Sequence, residues 1–471
     1  MLFNSYRFIF LFLPITLVNY FLLNKKFTIT LGQWWLFIMS LVFYAHFEKK
    51  HIFIILASIV CNFIAGFLLS TIQKKSYKKV ILASAISSNI FLLGYFKYAN
   101  FFLVNLNNLV HTNYTVQELL LPLGISFFTF TQIAYLVDAY KQKISDHNFL
   151  YYGLFVTFFP HLLAGPILHH TQLIDQFKDI KKSILSYHNI TMGLFLFTLG
   201  LSKKLLIADN FATICNTGFA RDIPLSFIES WATSLSYTLQ LYFDFSGYTD
   251  MALGVSRMFN ITMPENFNSP YKAQNIQDFW RRWHITLSIF LRDYIYIPLG
   301  GSRHGEINTY CNLMITFLLG GFWHGAGWTF ILWGFLHGIA LVIHRIWQNI
   351  SKKINIAIPS IVAWFITFNF VNIGWVFFRA KNVTSALQIL TSMFLVNNSH
   401  DFYTIPASSF ISPIIIIMII IFIGICAITK NSGEFTQDFK PTLSYAFITA
   451  LLLTLSILCF RSYSEFLYFR F

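Results

Sequence analysis

The stretch from Asp278 to Gly301, DFWRRWHITLSIFLRDYIYIPLGG, gathers ionisable and aromatic side chains in a chain that is only 11% charged. Its candidate reactive group is His284, because an imidazole can donate or accept a proton near neutral pH. The arginines around this histidine are too costly to bury at the centre of a membrane. The alternative is that His284 is simply hydrated at an interface beside the neighbouring tryptophans, so the stretch alone leaves its role open.

The same stretch has the periodicity of a single amphipathic helix. Steps of three and four residues predict one face, formed by Trp280, His284, Leu287, Leu291 and Ile295. The adjacent flank carries Arg281, Ile285, Ser288 and Arg292. We therefore expect an interfacial or obliquely buried helix, with tryptophans at headgroup depth and arginines that extend toward water.

A second candidate reactive group is His324, in the apolar stretch from Leu318 to Gly338, LLGGFWHGAGWTFILWGFLHG. An ionisable residue inside a membrane span is a functional candidate. The surrounding glycines would allow a backbone or a substrate to approach the imidazole closely. A buried histidine bonded to a neighbouring carbonyl is the alternative. His337 has similar surroundings, and we assign it a structural role.

A polar stripe follows one face of the stretch from Ser236 to Gly254. Gln240, Asp244 and Tyr248 are spaced by four residues, so they stack on one side of a helix. Such a stripe faces either a water-filled cavity or another polar helix. The spacing does not decide between the two.

A break in the helical pattern is predicted between Phe158 and His170, where FFPHLLAGPILHH contains two prolines and a glycine. Broken backbone at membrane depth needs surrounding protein or a cavity to satisfy its polar groups. We expect the histidines of this segment to be structural or interfacial; they are His161, His169 and His170.

The composition predicts a polytopic α-helical membrane protein. The 471 residues are 56% hydrophobic, whereas a soluble domain carries about 25% charged residues. About 11 to 13 apolar stretches approach the roughly 20 residues that cross a bilayer, and the alternation of a membrane barrel is missing. We expect one integral-membrane domain, residues 1–471, in which 257–309 is a polar, interfacial or re-entrant segment.

The net charge of +14 is explained by orientation in the membrane, and nucleic-acid binding has no support. Lysines in the loops after the first, third and fifth spans place the N-terminus outside and these loops in the cytoplasm. Lys49–Lys50 and Lys181–Lys182 disagree, the second pair unless the span at 150–167 is re-entrant. No disulfide framework or metal-ligand spacing appears, so we expect no metal site.

Three of these stretches resemble the membrane-bound O-acyltransferase family, most closely its bacterial branch of alginate and peptidoglycan O-acetyltransferases. They are SYTLQLYFDFSGYTDMALG, FWRRWHITLSIFLRDYIYIPLGG and GGFWHGAGWTFILWGFLHG. LGYFKYANFF, LPLGISFFTFTQIAYLVDAY, FPHLLAGPI and FLYFRF also match, in the right order along nearly the whole chain. The resemblance implies a ring of about a dozen membrane helices around a central tunnel.

The resemblance also implies roles for individual residues. His324 corresponds to the essential histidine of the family, and His284 to a second signature position that holds His or Asn. We expect His324 to act as general base on the acceptor hydroxyl, and His284 to orient it or to stabilise the oxyanion. The expected tunnel residues are Asp244, Gln240, Tyr248, Trp280 and Trp323. The residues expected to bind the anionic part of the donor are Arg281, Arg282 and Arg292.

By the same resemblance, the reaction moves an acetyl group from a cytoplasmic thioester, acetyl-CoA or another acyl donor, across the bacterial inner membrane, with no bound cofactor. An extracytoplasmic partner of the Ser-Gly-Asn-His (SGNH) type would then acetylate an alginate-like glycan or peptidoglycan. Two alternatives stay open. One is D-alanyl transfer to teichoic acid, and the other is a non-enzymatic transporter or flippase, which broken helices suit equally well.

Overall fold

The computed structural model describes residues 1–115, 119–144, 147–221, 223–395, 409–460 and 466–467. The regular structure in these ranges is helical, and six of the helices there are long and apolar enough to cross a membrane. The expected all-α, polytopic membrane fold is confirmed. The loop 396–408 and the last four residues of the FLYFRF motif lie outside the described ranges.

The helices up to residue 220 are α1 (Leu13–Lys26), α2 (Ile29–Ala45), α3 (His51–Thr71), α4 (Lys75–Leu93), α5 (Ala99–Val110), α6 (Ile125–Tyr140), α7 (Phe149–Thr157), α8 (Phe159–Leu162), α9 (His170–Lys178), α10 (Tyr187–Ser202) and α11 (Asp209–Ala220). The later helices are α12 (Phe227–Met258), α13 (Ile276–Arg282), α14 (Ile285–Leu291), α15 (Glu306–His324), α16 (Trp328–Ile354), α17 (Ser360–Arg379), α18 (Val383–Phe394), α19 (Pro413–Ile428), α20 (Ser432–Gln437) and α21 (Leu443–Leu458). Short π-helical turns adjoin them at Phe8–Phe12, Gly94–Tyr98, Lys203–Ala208 and Arg292–Tyr296, and 3-10 turns form at Ile180–Ser183 and Pro270–Lys272.

Two helices run beyond the apolar spans predicted for them. The sequence predicts apolar spans at residues 80–98 and 190–208. The first continues through a π-helical turn into α5, and the second continues into α11. The added turns contain asparagines and threonines, which end an apolar pattern without ending the helical hydrogen bonds. Helix α18 was not predicted as a separate span because its residues alternate with polar ones.

The segment from α7 to α9 folds back on itself, so that its two ends meet. Its helices are interrupted at Phe158 and Leu163, next to the proline and glycine residues predicted to break them. The ammonium of Lys178, at the end of α9, lies 5.8 Å from the ring centroid of Tyr151, near the start of α7. This re-entrant path would put Lys181–Lys182 on the same side as the loop before α7.

The single amphipathic helix predicted across Trp280 and His284 is wrong, because the chain breaks between α13 and α14. Trp283 is extended, and His284 has left-handed backbone angles, with φ 43° and ψ 53°. A nearby loop causes the break through backbone hydrogen bonds. The amide of Asn268 donates to Arg282 at 2.9 Å, and the amide of Ile285 donates to Asn266 at 3.0 Å. Consequently Trp280 and His284 do not share one helical face.

Helix α12 runs through the core and is buried along most of its 32 residues. Its Gly247 meets Gly200 of α10, where a Cβ on either residue would clash with the carbonyl of the other. Small residues at such contacts let membrane helices approach closely. The long polar-striped helix is therefore held between neighbouring helices and is kept away from lipid.

Candidate active site

His324 is the last residue of α15 and is buried, with 3% of its surface exposed. Its imidazole lies among aromatic rings, with centroid distances of 5.0 Å to Trp323, 5.1 Å to Trp333 and 5.1 Å to Phe378. The following residue, Gly325, is extended and ends the helix. The imidazole therefore lies at the turn between α15 and α16, about 27 Å along α15 from its first residue.

Glycines make the α15–α16 hairpin tight enough to bury this histidine. A Cβ on Gly321 would approach the backbone of Gly334 in α16 to about 3 Å, and a Cβ on Gly334 would meet Gly321 in the same way. The glycines flanking His324 therefore bring two backbones together, one of the two uses that the sequence suggested.

His284 is fully buried, and the structure brings it close to His324. Its ring centroid lies 4.9 Å from Phe245 and 6.4 Å from Trp323, so the Trp323 indole lies beside both histidines. Residues 40 positions apart in the chain thus form one buried pair.

Two separate loops hold the start of α14 and so fix His284. The side-chain oxygen of Asn266 accepts hydrogen bonds from the Thr286 hydroxyl at 2.6 Å and from its amide at 3.2 Å. The amide of Ile167, from the re-entrant segment, donates to the same hydroxyl at 3.0 Å. Neither contact was expected from the sequence, because both partners lie far from the histidine in the chain.

Trp280 connects the histidine pair to a cavity. Its indole N–H donates to Nδ1 of His337 at 3.2 Å, and His337 packs against Trp333 with centroids 4.7 Å apart. Trp333 in turn contacts His324. His337 is fully buried within this aromatic group, and its structural role stays a prediction.

A cavity of about 500 Å³ opens beside Trp280. Its walls include the whole predicted flank of the amphipathic stretch: Arg281, Ile285, Ser288 and Arg292. Helix α16 adds His344 and Arg345, which the sequence analysis did not single out. The predicted flank is preserved despite the helix break, because all four residues still face the same cavity. The cavity is therefore basic at its walls and aromatic where it meets Trp280.

The structure separates Arg282 from the other two arginines. Its Nε donates to the carboxylate of Asp278 at 2.9 Å, and its Nη1 donates to the Asn268 carbonyl at 3.3 Å. It does not line the cavity of Arg281 and Arg292. Arg292 donates to the adjacent Asp293 at 2.7 Å, but 58% of its side chain remains exposed.

The polar stripe of α12 lies away from the histidines. Asp244 accepts a hydrogen bond from Lys204 at 2.6 Å, and Lys204 also pairs with Asp209 at 2.9 Å. Gln240 accepts from the Cys215 thiol at 2.7 Å. Tyr248 stacks on Phe3 at 5.1 Å and meets Phe466 edge-on at 4.9 Å. The structure thus gives the residues of this stripe partners in neighbouring segments, and Phe245 of α12 packs against His284.

The histidines of the re-entrant segment have separate surroundings. His161 and His170 are buried in the core. His169 shares a hydrogen bond with the Tyr294 hydroxyl at 3.1 Å and lies 3.8 Å from Asp138. Within the described ranges, no group of three or more histidine, cysteine, aspartate and glutamate residues could hold a metal ion.

Comparison with known proteins identifies relatives along nearly the whole chain. A sequence model of MBOAT, the membrane-bound O-acyltransferase family, matches residues 75–387. A peptidoglycan O-acetyltransferase of Helicobacter pylori is 46% identical over 518 aligned residues, covering 100% of this chain and 98% of that protein. The probable alginate O-acetylase AlgI of Pseudomonas aeruginosa is 40% identical over 404 residues, covering 84% and 75%. A teichoic acid D-alanyltransferase of Bacillus subtilis is 29% identical over 282 residues, covering 55% and 69%.

Proposed function

The chain belongs to the membrane-bound O-acyltransferase family, and we propose that it passes an acetyl group from a cytoplasmic thioester toward a glycan outside the bacterial inner membrane. The observation that carries the proposal is the buried pair His284 and His324 beside Trp323, connected through Trp280 to a basic cavity. Relatives named as O-acetyltransferases of peptidoglycan and alginate support the acetyl group and the glycan.

The cavity is the proposed binding site for the donor. Its volume of about 500 Å³ lies in the range of about 300–1,000 Å³ that small-molecule sites occupy. Arg281, Arg292 and Arg345 would pair with the phosphates of acetyl-CoA or of a carrier-bound thioester, because guanidinium groups bind phosphate with charge-assisted hydrogen bonds. Arg282 is omitted from this set because it does not line the cavity.

The proposed chemistry uses the two histidines in different ways. His324 takes the proton of the acceptor hydroxyl as its oxygen attacks the thioester carbonyl. The carbonyl oxygen becomes an oxyanion, then re-forms the carbonyl as the C–S bond breaks, and the leaving thiolate takes the proton from the imidazolium. His284 orients the acceptor or donates to the oxyanion. Water has little access to either imidazole, since both are buried.

The acceptor side involves a partner in this proposal. The acetyl group would be handed to an SGNH-type transferase outside the membrane, which would modify peptidoglycan or an alginate-like polysaccharide. Because the acetyl-transferring relatives cover more of the chain at higher identity than the D-alanyl-transferring one, O-acetylation is favoured over D-alanylation. The transporter alternative is set aside, because the family is one of acyltransferases.

The test is acetyl transfer from labelled acetyl-CoA to glycan in native-host membranes that contain matched amounts of each variant. His324→Ala and His324→Gln should both lower transfer by about 10²–10⁴-fold, the contribution of a general base. His188→Gln, a change at an exposed histidine, is the control and should keep full transfer. Near-normal transfer by His324→Gln would rule out the general base, and loss of transfer in His188→Gln would mean that the assay reports damage to the protein.

A further inference from the structure

Lys97 lies in the π-helical turn Gly94–Tyr98 between α4 and α5, within a helix long and apolar enough to span the membrane. An ionisable residue at such a position is a functional candidate, and π-helical turns inside α-helices are frequent at functional sites. The ammonium of Lys97 donates to the Trp323 carbonyl at 2.6 Å and to the Ser126 hydroxyl at 3.1 Å. Lys97 therefore contacts Trp323, the residue whose indole lies beside both histidines.

The charge of Lys97 has only neutral partners in the described part of the chain. Its hydrogen-bond acceptors are a carbonyl and a hydroxyl, whereas Lys203 and Lys204 each contact an aspartate, at 2.7 and 2.6 Å. Lys97 is half-buried, and an ammonium partly withdrawn from water is stabilised by a compensating negative charge. The Trp323 carbonyl that Lys97 contacts belongs to the residue directly before His324, so the ammonium lies next to the histidine along the chain. An anion that forms beside His324 would provide the missing compensation.

We infer that Lys97 places a positive charge beside His324 that stabilises the oxyanion of the acyl-transfer step. The inference rests on the proposed function, in which that oxyanion forms at the thioester carbonyl. An ammonium has three N–H donors, of which Trp323 and Ser126 accept two. The third remains for the oxyanion, and charge fixed in advance where negative charge develops is an effective form of catalysis.

A purely structural role for Lys97 predicts something different, and Tyr98 supplies the matched control. The Tyr98 hydroxyl donates to the Phe322 carbonyl at 2.9 Å and lies 3.5 Å from the Trp323 carbonyl. It therefore fastens the same end of α15 without carrying a charge. Lys97→Met removes both the anchor and the charge, Lys97→Arg keeps a charge, and Tyr98→Phe removes only an anchor.

The experiment measures kcat and the KM for acetyl-CoA of these three variants in the native-host membrane assay, with His324→Ala alongside. Lys97→Met should lower kcat by about 10²–10³-fold, as removal of an oxyanion donor does, with KM changed less than about threefold. The kcat of Lys97→Arg should be at least tenfold higher than that of Lys97→Met. The kcat of Tyr98→Phe should stay within about threefold of that of the unmodified protein.

Three results would overturn the inference: equal losses in Lys97→Met and Tyr98→Phe, a Lys97→Met variant with normal kcat, or a loss confined to KM. The first assigns Lys97 to anchoring, and the last assigns it to donor binding. Failure of the proposed function looks different. In that case the unmodified protein transfers no acetyl group, or His324→Ala transfers as much as the unmodified protein.

Discussion

The left-handed backbone at His284 restricts which residues can replace it. Among residues other than glycine, Asn tolerates this conformation well, whereas a residue such as Ala is strained by about 1 kcal/mol. An Asn amide can also donate a hydrogen bond at a reach similar to that of the imidazole. Backbone and side chain therefore both favour Asn at this position, in agreement with the His or Asn that the family resemblance implies.

We accordingly predict that His284→Asn keeps at least tenfold more acetyl transfer than His284→Ala. His284→Gly separates the two effects, because it relieves the backbone but has no side chain. The His284→Gly protein should accumulate in membranes at least as well as His284→Ala. Its acetyl transfer should be as low as that of His284→Ala. The measurement is product formed per amount of protein in membranes. Equal loss in the Asn and Ala variants would mean that the imidazole itself ionises during turnover.

At the scale of elements, the break between α13 and α14 sorts the arginines. Arg281 and Arg292 line the cavity with Arg345 from α16, whereas Arg282 points to Asp278 in its own helix. A positive charge that faces a phosphate bound in the cavity should matter for donor affinity, and one that does not line the cavity should not. Arg282→Ala is therefore a matched control with the same loss of charge.

We predict that Arg281→Ala, Arg292→Ala and Arg345→Ala each raise the KM for acetyl-CoA about two- to fivefold, since exposed charge pairs contribute up to about 1 kcal/mol. Their kcat should stay near normal, and the effect should shrink as salt screens the charges. Initial rates over a range of donor and salt concentrations measure both. If Arg282→Ala raises KM as much as the others, general surface charge is responsible and the cavity is not the donor site.

A second feature at the scale of secondary-structure elements is the buried ion cluster that links α12 to the turn after α10. Lys204 and Asp244 are 2% and 1% exposed, and Asp244 also accepts from the Leu467 amide at 2.9 Å. A buried pair stabilises little over apolar residues of similar shape, but the loss of one partner leaves an uncompensated charge. This asymmetry makes the cluster testable.

We predict that Lys204→Met lowers the free energy of unfolding by about 3–5 kcal/mol, and that adding Asp244→Leu restores part of it. The exposed pair Lys430 and Asp438, 2.7 Å apart, supplies the control, because Lys430→Met should leave stability unchanged. Thermal unfolding of the purified proteins in detergent measures all three. A double variant less stable than Lys204→Met would show that Asp244 acts through contacts other than the ion pair.

At the scale of the whole molecule, a re-entrant path for α7 to α9 would resolve a conflict in the charge pattern. Lys181–Lys182 disagreed with the other basic loops only if the span at 150–167 crossed the membrane. The contact between Tyr151 and Lys178 brings both ends of this segment to one side. With that path, every lysine cluster named from the sequence except Lys49–Lys50 fits one orientation, which has the basic loops in the cytoplasm.

This orientation predicts the labelling of single cysteines in a variant without the five natural ones. Ser76→Cys and Lys181→Cys should resist a membrane-impermeant thiol reagent in intact cells and react after permeabilisation. Lys381→Cys, after α17, should react in intact cells. Labelling of both Ser76→Cys and Lys181→Cys from outside would invert the topology, and labelling of Lys181→Cys alone would contradict the re-entrant segment.

The sequence by itself determined the class of molecule, most of its helices and its two candidate reactive histidines. Hydrophobic spans are local properties, because roughly 20 apolar residues suffice to specify a membrane helix whatever surrounds it. His284 and His324 stood out because ionisable residues are rare in such a chain. The flank with Arg281 and Arg292 was also correct, since helical spacing persists on each side of a short break.

Only the tertiary structure decided how these parts combine. Backbone hydrogen bonds from the loop at Asn266 and Asn268 broke a helix that its own periodicity predicted. Side chains one position apart on α12 faced different partners, so Phe245 reached His284 while Asp244 joined Lys204. Two further residues approach the site from distant parts of the chain. They are Lys97, from the π-helical turn before α5, and Arg345, from α16. Periodicity shows which residues share a face, but the partner of that face depends on contacts far apart in sequence.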